Sequence, residues 1–286
     1  MIAHPELIEA EIAGWPAGSA AAAVLDRTGL LGSWGRDRTY QWASVTKVLT
    51  ALAVLDAAWQ GRIDLDEPAG PPGSTVRHLL SHASGLAFDS DRTLAAPARR
   101  RIYSNRGFEV VAEHLEGRTG RAFGSQLTER VLDPLEMRST TLNGSPAHGA
   151  QGPVSDLARL ASELLAPRCF AVDQVAAATT VAFPGLSGVL PGFGRQEPND
   201  WGLGFEIHGD KSPHWMAPAN SPAAFGHFGQ AGSFVWVDPE AEVACVAACD
   251  TPFGGWAATA WPRLGARVLD AVGPGMSTKT LQGETP

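Results

Sequence analysis

Strand-like segments sit at both ends of this 286-residue chain, with a long helical stretch between them. Near the N-terminus, "SAAAAVLDRTGLLGSWG" reads as two short strands around a turn at Asp26–Gly29. Far downstream, "SFVWVDPEAEVACVAAC" alternates and then runs apolar around Asp238-Pro239, the pattern of two strands joined by a tight turn. Apolar strands must cover their faces, and one sheet closed by the two ends of the chain does so most simply. The middle then becomes a helical insertion. The expected division is an α/β sheet domain formed by 1–75 and 150–286, with a mainly helical subdomain, 76–149, inserted into it.

Other segments fit that frame. Pro5 to Ile12 predicts an amphipathic helix, with Leu7, Ile8, Ala10 and Ile12 set among acids. A second helix is expected from about Ser44, carrying Val45, Val48, Leu49, Leu52 and Leu55 and ending at Gly61. "FEVVAEHLEGRTG" is the clearest helix of a middle, about Val76 to Leu142, that is mostly helical in pattern. "IDLDEPAGPPGS" reads as a loop, and the Gly- and Pro-rich stretch Pro184–Asp200 predicts a surface loop over a pocket. A last helix is expected over Pro262 to Val272, followed by a disordered tail, 273–286.

Composition narrows the function. A formal charge of −8 leaves no electrostatic footprint for nucleic acid or an anionic membrane. The densest basic run, Arg99-Arg100-Arg101, is only three residues long and reads as a solvated face or helix end. No apolar run approaches the ~18 residues that span a bilayer. The N-terminal "MIAHPELIEAEIAGWP" lacks the basic region and long apolar stretch of a signal peptide, so a soluble, cytoplasmic protein is expected. The three cysteines, Cys169, Cys245 and Cys249, have no metal-ligand spacing. His78 and His82 stand four apart, but "HLLSH" lacks the glutamate of a zinc-protease helix and shows no third ligand. Neither a metal nor an organic cofactor is expected.

Three short patterns carry chemistry. The chain spends 19 arginines but only three lysines, and one of these, Lys47, stands three residues after Ser44 in "WASVTKVLT". On a helix the two side chains share a face, placing an amine beside a hydroxyl. A serine hydroxyl needs a base to become a nucleophile, and a lysine serves once burial or a neighbour lowers its pKa toward neutrality. Alone, S-x-x-K is also what a helix-capping serine with an incidental lysine looks like. "YSN" at Tyr103–Asn105 holds one of two tyrosines; it offers a proton shuttle and an amide, or merely a helix cap. "GHFGQAGSFVWVDPE" places His227 two residues before Gly229, where the missing side chain lets a strand edge approach a ligand. An N–H on that strand and the N–H of Ser44 together would make an oxyanion hole.

In order and spacing these patterns resemble the serine β-lactamase and penicillin-binding-protein superfamily. The branch is the one holding class C β-lactamases, D-Ala-D-Ala carboxypeptidases and family VIII esterases. "TVRHLLSHASGL", "YSNRGFEVVAEHLEGRTGRAF", "DPLEMRSTTL", "PVSDLARLASELL" and "WGLGFEIHG" also fall where that branch has its usual segments, so the resemblance covers roughly residues 20 to 270. It implies a β-lactamase/transpeptidase-like fold: a central antiparallel sheet flanked by helices, plus the helical subdomain. It implies Ser44 as the acylated nucleophile, with Lys47 and Tyr103 sharing the base role and Tyr103 returning the proton to the leaving group. Asn105 would bind the acyl side of the substrate, and His227 would stand where other members have lysine, polarising Tyr103. The backbone N–H groups of Ser44 and Gln230 would form the oxyanion hole, with Gly229 leaving room.

One departure stands out. The middle of the third motif is usually Thr or Ser, and here it is Phe228. Without that hydroxyl, a small neutral ester suits the site better than an anionic β-lactam or a D-Ala-D-Ala peptide. The expected activity is therefore carboxylic ester hydrolysis, with a β-lactamase or DD-peptidase-like amidase second. A catalytically silent relative that binds a ligand in the same cleft is the alternative of another class. The partner is a small ester or amide; the sequence says nothing about oligomeric state.

Overall fold

The structure, a computed structural model, describes residues 2–273. Its centre is a six-stranded antiparallel sheet of β1 (Ala20–Asp26), β2 (Gly29–Gly35), β3 (Glu206–Ile207), β4 (Phe225–Gly229), β5 (Ser233–Asp238) and β6 (Val243–Cys249), in the order β2-β1-β6-β5-β4-β3. The two ends of the chain meet in its middle, where Ala20 pairs with Cys249 and Asp26 with Val243. The β5–β6 turn is held by the Asp238 carboxylate, whose Oδ1 accepts from the N–H groups of Glu240 (3.2 Å) and Ala241 (3.1 Å).

Both faces of the central strands are covered, which explains why they read as nearly continuous apolar runs, whereas β2 at the edge is partly exposed. Successive side chains point to opposite faces. Ala21, Ala23 and Leu25 of β1, with Val235, Val237, Val246 and Ala248, join the larger core. Ala22 and Val24, with Phe234, Trp236, Cys245 and Ala247, join the smaller one. The smaller core is closed by α1 (Pro5–Ala13) and the C-terminal helix, which pack on each other. The larger core lies under α4 (Val154–Leu165) and around α2 (Thr46–Trp59). It continues without a break into α3 (Asn105–Thr119), through Phe108, Val111 and Leu115. Helix α2 is buried along nearly its whole length and ends before Gly61, whose φ is +70°.

Several expectations need correction. The middle of the chain is less helical than its pattern suggests. Helix occupies Val76–Leu80, α3, Phe123–Leu127 and Thr128–Leu132, whereas residues 81–104 form a long irregular excursion. Arg101 organises that excursion: it is 2 % exposed, and its guanidinium donates to the carbonyls of Ser81 (2.8 Å), Phe183 (3.0 Å), Asn199 (3.2 Å) and Ala182. The basic run is therefore split, with Arg99 and Arg100 exposed and Arg101 buried. Within Pro184–Asp200 the chain folds into a small ribbon, Gly188–Leu190 against Gly194–Gln196, where only a loop was expected.

The last helix, α5, runs Gly255–Val272, starting seven residues before Pro262. A proline inside a helix costs ~3 kcal/mol. Burying a large aromatic side chain is worth a comparable amount, and the helix seats Trp261 among Phe234, Phe253 and Phe228, with ring centroids 5.1, 5.3 and 5.9 Å away. The tail expected to be disordered lies, apart from Gly273, outside the described residues.

Candidate active site

The S-x-x-K segment is built by the turn before α2. Trp42 is fully buried; its indole N–H donates to Gly152 O at 3.0 Å and its carbonyl accepts from Ser233 Oγ at 2.8 Å. Held this way, the chain turns through Ala43, a non-glycine residue at φ +43°, and Ser44 follows in a short 3₁₀ turn, Ala43–Val45. Ser44 does not cap the helix. Its Oγ instead accepts from Lys47 Nζ at 3.1 Å.

Lys47 has no exposed surface. Burial lowers its pKa to about 7, opposed by the more distant charges of Asp89 and Glu109. Nζ also donates to Asn105 Oδ1 at 2.6 Å and to Ala147 O at 2.9 Å. Asn105 Nδ2 in turn donates to Asp89 Oδ1 at 2.8 Å. A carboxylate only accepts, so Asp89 fixes the orientation of the Asn105 amide and turns its oxygen to Lys47. Two of the three directions around Nζ therefore end on carbonyl oxygens, which cannot donate. When the amine is neutral its lone pair is left facing the Ser44 hydroxyl.

The two readings of "YSN" hold together. Ser104 is the N-cap of α3, its Oγ accepting from Gly107 N at 2.9 Å, and it leaves Tyr103 and Asn105 on either side facing Lys47. Lys47 Nζ lies 4.8 Å from the centre of the Tyr103 ring. Burial pushes the Tyr103 phenol well above its ordinary pKa, against the pull of a hydrogen bond with Ser44, so it is protonated at neutral pH rather than a phenolate. His82 packs behind it with ring centroids 4.4 Å apart, and Trp201 lies 5.8 Å away.

On the other side stands β4. His227 is 2 % exposed; its Nδ1 lies 2.7 Å from Phe228 O and its Nε2 3.5 Å from the Tyr103 hydroxyl. Burial lowers its pKa to about 3, helped by the nearby Lys47 amine, so the ring is neutral. With Nδ1–H donating to the carbonyl, Nε2 presents a lone pair to Tyr103. Gly229 is needed for closure, because a Cβ there would lie 2.0 Å from Trp42 O.

Ser44, Tyr103, His227, Phe228 and Gln230 border a cavity of about 120 Å³, completed by Phe88, Leu190, Pro191 and Trp201. The Phe228 ring itself turns into the smaller core, 4.8 Å from Phe253 and 5.7 Å from Trp215. Phe228 therefore borders the cavity while its ring also packs into the smaller core. Gln230 is fixed by its side chain, Nε2 donating to Phe253 O at 3.1 Å.

Sequence reasoning missed Asp89 and Ala147, which lie in no motif and arrive only through the fold, and it gave no site role to His82 of "TVRHLLSHASGL" or Trp201 of "WGLGFEIHG". The His78–His82 pair is separated by its partners: His78 Nδ1 lies 2.8 Å from Thr75 Oγ1 and its ring stacks on Phe183, while His82 faces Tyr103. Among the described residues no group of side chains has the makings of a metal site.

A serine–lysine helix start, a tyrosine loop and a histidine strand meeting on the edge of a central antiparallel sheet define the serine β-lactamase and penicillin-binding-protein class. The chain belongs to the beta-lactamase family, whose family model matches residues 8–270. A crystal structure of a β-lactamase from Mycobacterium bovis is 51% identical, with a TM-score of 0.91 over 93% of this chain and 99% of that one. The LovD6 mutant of simvastatin synthase (LovD) from Aspergillus terreus shares the fold at 14% identity, with a TM-score of 0.75 over 93% of each chain. The D-alanyl-D-alanine-carboxypeptidase/endopeptidase AmpH of Escherichia coli K12 is 24% identical over 147 residues, a match spanning 38% of either chain.

Proposed function

We propose that the protein is a serine hydrolase that forms an acyl-enzyme on Ser44 and acts most readily on small carboxylic esters. The observation that carries this reading is the buried Lys47 amine, 3.1 Å from Ser44 Oγ and with a pKa near 7. Neutral Lys47 takes the Ser44 proton as Oγ attacks the ester carbonyl. The carbonyl oxygen becomes an oxyanion held by the N–H groups of Ser44 and Gln230. As the C–O bond to the leaving group breaks, the alkoxide takes the Tyr103 proton, and Lys47 re-supplies Tyr103. His227 Nε2 steadies the phenol, and Asn105 holds Lys47 in line. Water then repeats the sequence on the acyl-enzyme, releasing the acid and the free serine.

Three features favour a small ester. The cavity is well below the ~300 Å³ at which ordinary ligand pockets begin. His227 is neutral, so the third motif offers no cation to a β-lactam carboxylate. Phe228 supplies no hydroxyl. A second reading, β-lactam hydrolysis, is favoured by the description of the 51%-identical Mycobacterium bovis protein as a β-lactamase.

Wild type and Ser44→Ala are incubated with a fluorophosphonate and their intact masses compared, and p-nitrophenyl esters are assayed beside a chromogenic cephalosporin. A single adduct on wild type alone, with faster ester than lactam turnover, is the expected result. Labelling with faster lactam turnover selects the second reading. No labelling of wild type ends both, in favour of a silent binding protein.

A further inference from the structure

The cavity at Ser44 opens beside a larger one. Phe88, Tyr103 and Pro191 border both, and the second, about 460 Å³, continues along Leu94, Ile102 and Val189. Its walls combine an apolar floor with one sign of charge. Arg100, Arg101 and Arg195 line it, and no carboxylate does.

The three arginines differ in what already holds them. Arg100 is exposed and forms no ion pair or side-chain hydrogen bond among the described residues. Arg195 donates to Ser187 Oγ and Glu197 Oε2, both at 3.2 Å, through contacts open to solvent. Arg101 is buried and bonded to carbonyls alone, so its charge is not cancelled by contact with an anion. The acids of the neighbouring excursion are already engaged: Asp89 holds Asn105 at 2.8 Å and Asp91 holds Arg106 at 2.6 Å. Cations on the wall of an apolar trough are what an amphipathic anion recognises.

We propose that this trough extends the substrate site and selects esters whose acyl group is an apolar chain ending in a carboxylate, with Arg100 as the principal recognition residue and Arg195 beside it. The proposal rests on the reading of Ser44 as the acylated group, and it gives the Arg99-Arg100-Arg101 run a role: Arg101 pins the excursion and Arg100 meets the ligand. Carbon chain and carboxylate are read separately, the first by Leu94, Ile102 and Val189 and the second by the guanidinium.

The test uses matched p-nitrophenyl esters of equal carbon number: butanoate against hemisuccinate, hexanoate against hemiadipate, octanoate against hemisuberate. For at least one chain length wild type should prefer the carboxylated ester in kcat/KM, and added salt should weaken that preference. Arg100→Glu should lower the ratio of carboxylated to neutral kcat/KM by about tenfold or more, chiefly through KM, with neutral esters unchanged. Arg195→Glu should lower it less. A ratio that stays within about twofold across both variants overturns the proposal. Titration calorimetry with suberic acid monoanilide, which has no ester to cleave, separates the two readings. If no ester is turned over but this ligand binds wild type and is lost in Arg100→Glu, the trough stands and the Ser44 reading falls. If it does not bind wild type, the trough falls.

Discussion

The two lysines among the described residues, Lys47 and Lys211, are both buried, and they are opposites. Lys211 lies beside a carboxylate, with Nζ 3.3 Å from Glu206 Oε1, and also donates to Asp200 O at 2.8 Å and to Ile207 O. Glu206 is claimed again by His214 Nε2 and Trp215 Nε1, each at 2.7 Å. His214 Nδ1 accepts from Met216 N, so its proton sits on Nε2 and points at the carboxylate. Burial raises the Glu206 pKa, but Lys211 and His214 outweigh it and hold the group down to about 2. Lys47 is buried to the same degree, yet its contacts are a hydroxyl, an amide oxygen and a backbone carbonyl. Burial lowers the pKa of both lysines; only at Lys211 does a contacting carboxylate oppose it. One lysine is therefore kept charged as a tie, while the other is free to lose its proton near neutrality.

The largest expected effects follow from removing each in turn. Lys47→Ala should keep the fold and lower kcat/KM by ~10³-fold or more, the scale of a lost general base. Lys211→Met should do the reverse, costing ~3–5 kcal/mol of stability by leaving Glu206 buried without its cation, with activity per folded molecule much less affected. Urea unfolding alongside ester turnover separates the two outcomes. An active Lys47→Ala protein would remove the proposed base.

A sharper test makes one lysine resemble the other. Asn105→Asp puts a carboxylate against Lys47 and should raise its pKa by ~1–3 units. In wild type kcat/KM should climb with pH through about 7, as Lys47 loses its proton, and then level off. In Asn105→Asp that acid limb should move to higher pH, with a loss at pH 7 of roughly five- to five-hundredfold that alkali recovers. Asp89→Asn works in the opposite sense: it removes a charge that raises the Lys47 pKa, so the limb should move down by a fraction of a unit. pH profiles of the three proteins decide the matter.

Lys47 and Ser44 were legible in the sequence because a helix puts i and i+3 together whatever the rest of the chain does. Tyr103, Asn105 and His227 were legible through a resemblance in order and spacing. The groups that decide what Lys47 is were not. Asp89 sits in a loop with no pattern of its own, and the carbonyl of Ala147 has no signature at all, although it lies 2.9 Å from Nζ across 100 residues of chain. β1, β5 and β6 were read correctly because buried strands announce themselves by apolar content, and β2 through the turn signal at Asp26–Gly29. The excursion over 81–104 was not, because what holds it, Arg101 reaching four carbonyls and scattered backbone bonds such as Leu94 N–H to Gly85 O, leaves no periodic pattern. Pro262 misled for a related reason, since local preference at that position yields to the seating of Trp261.

The smallest predicted effect concerns acid. The Glu206 carboxylate has a lower pKa folded than unfolded, so its contribution is present above the ordinary glutamate value of about 4.5 and is lost as pH falls toward about 2. Melting temperatures measured from pH 5 to pH 2 should fall less steeply in Glu206→Gln than in wild type. Parallel curves would mean that the Lys211 cluster is not a tie of the kind described.

The hydrogen bond from Ser233 to Trp42, with Gly229 pressed against the same carbonyl, has a consequence for the timing of synthesis. The turn that presents Ser44 leaves the ribosome early, while the serine that braces Trp42 is made 191 residues after it. β1 likewise waits for β6. A growing or broken chain that stops short of the last strands carries the serine and the lysine but not the frame that aligns them. Reactivity should switch on late, as one event, when the two ends of the polypeptide close on each other. Labelling of Ser44 would then report complete folding as faithfully as it reports chemistry.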